Sequence, residues 1–306
     1  MLGILLGFGS AIAFAANAII TRRGVLRISS NYVANVSILT GPVLSFLAAL
    51  VTGDIFQLGQ FPWKAYLCFA VSGVIHFAFG RTWAYKSVQL VGSTRSNIVT
   101  SLSPIVSVTA AVIIVGERIN TLMLLGILCS LSSPFITLLK EQTVTRDTKT
   151  TGGYQGKEVD RRTLYLGMFY GLGAAVFWGS SIIFVKLGLE SGGSPIAGNL
   201  IAYSTASIAI IPSLLNRNNK KEMLAADRKS LHLALLTGLT TNIAQLCRYL
   251  ALQYGSVILV TAVIRTSPLG VLLLAFIFNR QYESFSRWVL LSNALLMAGT
   301  IMVLKA

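Results

Sequence analysis

The ionisable residues that fall inside apolar stretches of this chain are basic. Arg265 lies three residues before Pro268, near the middle of one such stretch, and His76 lies near the middle of another. A charge at the centre of a bilayer costs about 2.5 to 3.5 kcal/mol on the insertion scale, so such a side chain normally faces a cavity or a partner. We predict that both residues bind a solute, with Arg265 binding its anionic group. The alternatives are a structural arginine that donates to helix-end carbonyls, and a histidine that bonds to a neighbouring helix.

Two further arginines begin similar stretches of sequence, 80–120 and 247–283. Arg81 and Arg248 each precede a Gly-Ser pair and then a Ser-Pro pair, and the two Ser-Pro pairs are 164 positions apart. Symmetry between the two stretches would place these arginines near opposite membrane faces. We predict that they contact the solute as gate residues. The alternative is that their side chains snorkel to the lipid headgroups.

The proline of each Ser-Pro pair alters the helix that contains it. Pro104 and Pro268 each remove one helical hydrogen bond and crowd the carbonyl four residues earlier, at Thr100 and at Ile264. We predict that both segments kink there, and that the freed carbonyls bind the solute or let the helix flex. Alternatively, neighbouring Ser and Thr side chains satisfy these carbonyls.

Polar side chains also recur at helical spacing on three segments, and Asn17, Asn97 and Gln245 belong to these stripes. Polar stripes inside a membrane face a bundle interior or a cavity, so we predict that these residues line the solute site. Trp178 is predicted to stack on the solute, with a place in the packed core as the alternative.

Acids are missing from the apolar segments, and no cluster of metal ligands occurs there. All ten acids fall at segment ends or in loops. This disfavours carriers of organic cations and many proton-coupled pumps, which need a buried carboxylate. The two histidines, His76 and His232, make no metal cluster, and the GGYQGK run lacks the spacing of a phosphate-binding loop. We therefore predict no metal, no cofactor and no enzymatic activity.

The composition identifies the elements that hold these residues. Of 306 residues, 54% are hydrophobic and 11% are charged, whereas a soluble domain carries about 25% charged residues. The net charge of +15 would suit a nucleic acid, but basic residues in a multi-pass chain mark cytoplasmic loops, and we predict no nucleic-acid partner. About 20 apolar residues span a bilayer. The sequence thus predicts an all-α integral membrane protein with ten transmembrane segments near 2–20, 31–52, 65–85, 93–115, 119–139, 163–185, 196–215, 230–252, 256–278 and 285–304.

The ten segments form two groups of five. Four glycines of the first segment, and Asn35, recur 164 positions later in the second half of the chain. We predict a first repeat over 1–140, a polar linker over 141–162 and a second repeat over 163–306. An odd number of helices per repeat inverts the second repeat, as in inverted-repeat transporters. The loop charges agree, because the odd-numbered loops carry 17 Lys and Arg and the remaining loops and the C-terminus carry 4.

Several of these motifs resemble the drug/metabolite transporter superfamily in its EamA-type ten-helix branch. The resemblance rests on the run from Ala84 through Pro104 to Gly116-Glu117 and on the Trp178-Gly179 pair. Phe14-Ala15 and Gln281 depart from the family pattern. The resemblance implies a central cavity lined by helices one to four and six to nine, and both termini in the cytoplasm. The charge count instead places the odd-numbered loops in the cytoplasm and the termini outside.

These observations together predict a plasma-membrane secondary transporter. It would move a small organic metabolite, anionic or zwitterionic, by alternating access, as a monomer or a homodimer in the lipid bilayer. The alternatives are an intramembrane enzyme acting on lipid-linked substrates, a channel, or a receptor.

Overall fold

The computed structural model describes residues 1–25, 27–91, 96, 99–144, 161–278 and 287–306, and within these ranges the regular structure is helical. In chain order the α-helices are α1 Leu2–Val25, α2 Ser30–Thr52, α3 Trp63–Gly73, α4 Thr82–Val91, α5 Ser103–Ala110, α6 Thr121–Val144, α7 Arg161–Glu190, α8 Pro195–Ala209, α9 Ile211–Leu215, α10 Arg217–Ala225, α11 Arg228–Tyr254, α12 Val257–Ile264, α13 Ser267–Phe278 and α14 Arg287–Lys305. A 3₁₀ helix covers Asp54–Gln60, and π-helical turns cover Val74–Arg81 and Ala111–Val115.

The apolar helices make this a multi-pass membrane protein. Five helical stretches are long and apolar enough to cross a bilayer, and shorter apolar helices occur at four of the other predicted segments. The long helix α11 is more polar, and its polar side chains are buried in the protein, among them Thr237, Thr241, Asn242, Gln245 and Arg248. Polar groups on a membrane helix face the protein interior, which explains why α11 is only weakly hydrophobic.

Both Ser-Pro pairs interrupt their segments. Helix α12 ends at Ile264 and α13 begins at Ser267, while α5 begins at Ser103. Just before each pair the backbone makes a tighter i→i+3 hydrogen bond. The Leu102 amide donates to the Val99 carbonyl (3.1 Å), and the Thr266 amide donates to the Val263 carbonyl (3.0 Å). A proline within the first turn of a helix needs no amide donor there, so each pair starts a new helix.

The third apolar segment contains a feature that hydropathy does not predict. Between α3 and α4 the chain winds as a π-helix over Val74–Arg81, and His76, Phe77, Gly80 and Arg81 of this turn are buried. A π-helical turn has i→i+5 hydrogen bonds, is rare, and frequently occurs at functional sites. It holds two of the predicted site residues.

The two ends of the bundle are each defined by contacts between distant parts of the chain. At the end that we call the terminal end, Asn120 donates to the carbonyl of Ala306 (3.0 Å). At the other end, which we call the basic end, Arg27 pairs with Asp227 (3.6 Å). The Ser29 amide also donates to a Glu222 carboxylate oxygen there (3.2 Å).

Glycines let several helices pack backbone against backbone. A Cβ on Gly126 would lie 2.5 Å from the carbonyl oxygen of Gly299, and one on Gly299 would lie 2.5 Å from that of Gly126. A Cβ on Gly173 would meet the Trp83 ring at 2.3 Å. Small residues allow such close approach between membrane helices, and α6 and α14 cross at the first of these contacts.

Candidate solute site

His76 lies at the centre of a hydrogen-bonded group that joins three segments. Its Nδ1 lies 2.8 Å from Ser181 Oγ, and its Nε2 lies 2.9 Å from the Gln245 side-chain nitrogen. Ser181 donates its own proton to the Trp178 carbonyl (2.9 Å), and an amide nitrogen only donates. The network therefore assigns a neutral imidazole, with Nδ1–H donating to Ser181 and Nε2 accepting from Gln245. The bond to neighbouring helices that we considered for His76 is present.

Trp178 is tied to the same turn. Its indole nitrogen donates to the His76 carbonyl (3.2 Å), and its ring lies 6.2 Å from the imidazole. A Cβ on Gly80 would come within 2.6 Å of the indole, so the glycine admits this ring. Trp178 therefore has a packing role, and its stacking on a solute stays a prediction.

Arg81 and Arg248 are buried beside this group. Each side chain belongs to a residue that is 6% exposed, and the charges of both act on the His76 imidazole. Arg81 donates to Ser37 Oγ (2.7 Å) and lies over the Phe77 ring at 5.1 Å. Their burial is incompatible with snorkelling to headgroups. Both guanidinium groups lie toward the interior, beside one histidine, instead of marking opposite membrane faces.

Arg248 is the less satisfied of the two arginines. Its Nε and Nη2 have no hydrogen-bond partner among the described residues, and neither does the Oε1 of Gln245. Its guanidinium carbon lies 5.8 Å from the Tyr249 ring centroid. Buried polar atoms are almost always bonded, so each exception needs an explanation.

Two buried tyrosines complete the group; Tyr249 lies four residues after Gln245 in the same polar stripe, whereas the sequence provided no signal for Tyr203. Tyr203 and Tyr249 are both 0% exposed. Arg81 lies next to the Tyr203 hydroxyl and Arg248 next to the Tyr249 hydroxyl, yet neither hydroxyl has a partner in hydrogen-bond geometry within the described ranges. Phe77 stacks on Tyr203 at 4.1 Å between centroids. Aromatic residues are common in apolar segments, so their identity alone does not distinguish them.

The carboxylates that the structure describes are engaged away from this group. They lie at helix ends, where they accept from backbone amides or hydroxyls or pair with nearby cations: Asp54, Glu117, Glu190, Glu222 and Asp227. Within the described part of the chain, the two buried guanidinium groups thus have no acidic partner. An unpaired buried charge is strongly destabilising, so an anion from outside the protein would be favoured there.

Arg265 lies at a different point, where the two helix interruptions meet. Its Nη2 donates to the hydroxyl of Ser103. A Cβ on Gly179 would be 2.5 Å from the Ser103 carbonyl oxygen, so α7 packs directly on this point. In the structural alternative Arg265 would donate to helix-end carbonyls, whereas its partner here is a hydroxyl.

The predicted kink residues lie at the two interruptions. The Thr100 hydroxyl donates to the Ser96 carbonyl (3.0 Å), and Ile264 ends α12. Pro104 and Pro268 lie in the first turns of α5 and α13.

Asn17 forms a second polar contact along α11. Its Oδ1 accepts from Thr241 (2.9 Å), Thr240 (3.2 Å) and Thr21 (3.3 Å). Thr241 is one helical turn from Gln245 on α11, so Asn17 borders the His76 group. Asn97, the remaining predicted site residue, lies outside the described residues.

The chain was compared with known families and structures. The model of the EamA-like transporter family matches residues 1–139 and again 165–305. The chain belongs to the EamA-like transporter family. A solved structure described only as "Crystal structure of protein" shares 16% identity with a TM-score of 0.73, over 98% of this chain and 95% of that one; at that identity it shows the fold alone. No curated protein matches the chain.

The hydrogen bonds of this EamA-like transporter repeat between its halves. Asn17 and Ser181 are 164 positions apart, the same offset that relates the two Ser-Pro pairs. Asn17 connects the first helix of the first half to α11, and Ser181 connects the first helix of the second half to the His76 turn. Each residue thus joins the first helix of one half to the third segment of the other.

Two cavities lie at the ends of this EamA-like transporter. The cavity at the terminal end has a volume of about 350 Å³ and is bordered by Asp54, Gln57, Ser194 and Gln253. The cavity at the basic end has a volume of about 490 Å³ and is lined by Arg27, Arg228, Lys229, His232 and Leu233. His76 and Gln245 line neither cavity and contact each other directly.

Proposed function

We propose that this EamA-like membrane transporter carries a small organic solute with an anionic group, and that Arg248 and Arg81 bind that group. One observation carries the proposal: Arg248 is buried with two guanidinium nitrogens that lack a described partner, beside a second buried arginine, and the described carboxylates lie elsewhere. Charge-assisted hydrogen bonds to a carboxylate or phosphate would satisfy these donors.

The neutral members of the group would bind the rest of the solute. The Oε1 of Gln245 is an acceptor without a described partner, and the Tyr203 and Tyr249 hydroxyls both donate and accept. A zwitterion could therefore place its ammonium group on neutral oxygens while its carboxylate contacts the arginines. An organic cation would instead meet two fixed positive charges.

We further propose that transport proceeds by alternating access between two inverted five-helix repeats, 1–140 and 163–306, around a central site. The repeated Asn17 and Ser181 contacts and the two Ser-Pro interruptions support this arrangement. Interrupted helices at a repeat interface are where inverted-repeat transporters bind substrate. The 17 to 4 distribution of Lys and Arg supports a cytoplasmic basic end.

Counterflow in proteoliposomes tests the proposal. A panel of labelled organic anions, zwitterions and cations would be offered to the purified protein, with trans-acceleration as the signature of a carrier. We expect acceleration by anions or zwitterions. A preference for cations, or currents far above carrier rates, would contradict the proposed mechanism.

Substitution of Arg248 tests the assigned residue. Arg248→Gln keeps hydrogen-bonding capacity and removes the charge, and we expect a 10- to 100-fold lower rate, from a loss of about 1.5 to 3 kcal/mol in charged hydrogen bonds. The matched control is Arg162→Gln, at an exposed position near the start of α7, which should transport normally. Unchanged transport by a folded Arg248→Gln protein would remove Arg248 from the site.

Arg265→Ala tests the second basic position. We expect it to abolish transport while folding is retained, because Arg265 connects the two helix interruptions. Transport at the normal rate by well-folded Arg265→Ala protein would show that its contact with Ser103 is structural only.

A further inference from the structure

We propose that the cavity at the basic end binds the phosphate group of an anionic phospholipid, and that this lipid bridges the two halves of the protein. The proposal does not depend on the nature of the transported solute. It rests on the charges, the shape and the apolar surroundings of this cavity.

The cavity has the size and charge of an anion site. Its volume of about 490 Å³ falls within the range of about 300 to 1,000 Å³ that is typical of small-molecule sites. Arg27, Arg228 and Lys229 supply three positive charges to its walls, and His232 adds a ring nitrogen. Basic pockets between membrane helices on the cytoplasmic side are suited to anionic headgroups.

The nearby acids neutralise only one of these three cations. Asp227 accepts from the Ser230 amide (3.2 Å) as the cap of α11, and it also pairs with Arg27. Glu222 accepts from the Ser29 amide. Arg228 and Lys229 are exposed, and neither forms a salt bridge with the acids that the structure describes. The lining thus retains an excess of positive charge.

Exposed leucines next to this charge favour a lipid over a soluble anion. Leu224 is 80% exposed and Leu231 is 42% exposed, each within four residues of Arg228 in the chain, and Leu233 lines the cavity itself. An apolar side chain beside basic residues is typical of a helix at the membrane surface, where the apolar part enters the acyl region. A soluble phosphate would contact the cations and leave these leucines in water.

A lipid in this cavity would contact both halves. Arg27 follows α1 in the first half, whereas Arg228 and Lys229 begin α11 in the second half. One phosphate bound to both would add a link across the basic end, where the protein itself supplies a half-exposed ion pair.

The test compares lipids and a charge-matched variant. The purified protein would be placed in nanodiscs of phosphatidylcholine alone or with phosphatidylglycerol, and its Tm and its lipids retained in native mass spectrometry would be measured. We expect phosphatidylglycerol to raise Tm and to be retained. Arg228→Gln/Lys229→Gln should lower the apparent affinity about 25-fold, at about fivefold per charge.

The control removes two charges from the terminal end. Lys64→Gln/Arg118→Gln changes two exposed residues there, and we expect wild-type behaviour with phosphatidylglycerol. Equal stabilisation of the wild type by inorganic phosphate in phosphatidylcholine would show a soluble-anion site and overturn the assignment to a lipid. The assignment would also be overturned if the Arg228→Gln/Lys229→Gln protein responded to phosphatidylglycerol like the wild type, or if the wild type did not respond.

Discussion

The terminal end and the basic end join the two halves by different sets of bonds. At the terminal end, charged side chains bind backbone groups of helix ends. The Glu117 carboxylate accepts from the amides of Val257 (2.5 Å) and Ile258 (3.0 Å) in the other half. Within the second half, Lys186 donates to the carbonyls of Leu252 (3.1 Å) and Gly255 (3.2 Å).

At the basic end the links are a single bond of this kind, from the Ser29 amide to the Glu222 carboxylate, and an ion pair between side chains in water. Arg27 and Asp227 are 3.6 Å apart, and their side chains are 50% and 55% exposed. Exposed ion pairs contribute little, whereas charged hydrogen bonds to otherwise unpaired helix-end groups contribute more. Separating the two halves therefore costs less free energy at the basic end than at the terminal end.

The largest expected effect comes from Lys186. Its side chain is 16% exposed and satisfies two carbonyls at the end of α11. Lys186→Met keeps the apolar stem and removes both bonds, so we expect a loss of about 2 kcal/mol in unfolding free energy, measured by reversible denaturation. The control is Glu190→Gln, which breaks only the 3.8 Å pair with Lys186 and should leave stability nearly unchanged. Equal losses in both variants would place the stabilisation in the ion pair.

A smaller effect is expected from Glu117. Glu117→Ala removes the cap of α12, which is worth about 1 kcal/mol, and should speed hydrogen exchange at the Val257 and Ile258 amides about fivefold. Arg118→Ala, at the exposed neighbour, is the matched control and should leave that exchange slow. If the Glu117→Ala protein kept both amides protected, the link between the halves at the terminal end would lie elsewhere.

The smallest mutational effect is expected at the basic end. Arg27→Gln should not change Tm beyond experimental error in phosphatidylcholine alone, because exposed ion pairs are screened by solvent. A fall in Tm as large as that of the Glu117→Ala protein would reverse the proposed ranking of the two ends.

The pH dependence of the same contact provides a finer test. A hydrogen bond from Ser230, and then the charge of Arg27, hold the pKa of Asp227 below 3.8. A lowered pKa stabilises the folded protein above the unfolded-state value, and this contribution disappears as the pH falls through the folded pKa. The Tm difference between wild type and Asp227→Asn should therefore be constant near pH 6, begin to shrink near pH 3.8, and vanish only below the lowered pKa of the folded protein. A difference that changes only near neutral pH would point to another group.

The sequence predicted the membrane class and the family, because hydropathy and the 164-residue offset are properties of the chain itself. It also proposed His76 and Gln245 as candidate site residues, since polar residues in apolar segments stand out. Their contact was not predictable, because it joins segments 169 positions apart, and helix packing decides which polar stripes meet.

Other features of the protein depend on three-dimensional contacts that residue types alone do not reveal. Tyr203 resembles an ordinary apolar-segment residue until its hydroxyl is seen beside Arg81, whereas Tyr249 shares the polar stripe of Gln245. The cap that Glu117 provides for α12 requires knowledge that two loops share one end of the bundle. The roles of Arg265, Arg81 and Arg248 in solute binding stay predictions that the transport experiments address.

The π-helical turn over Val74–Arg81 determines the directions in which the His76 and Arg81 side chains point around the helix axis. Five residues of an α-helix rotate by about 500°, so an α-helical His76 and Arg81 would point about 140° apart around the axis. With i→i+5 bonds, residues five apart lie nearly one above the other. The winding of this turn therefore aims a cation and an imidazole at the same side of the helix, and unwinding it by one residue would turn them apart.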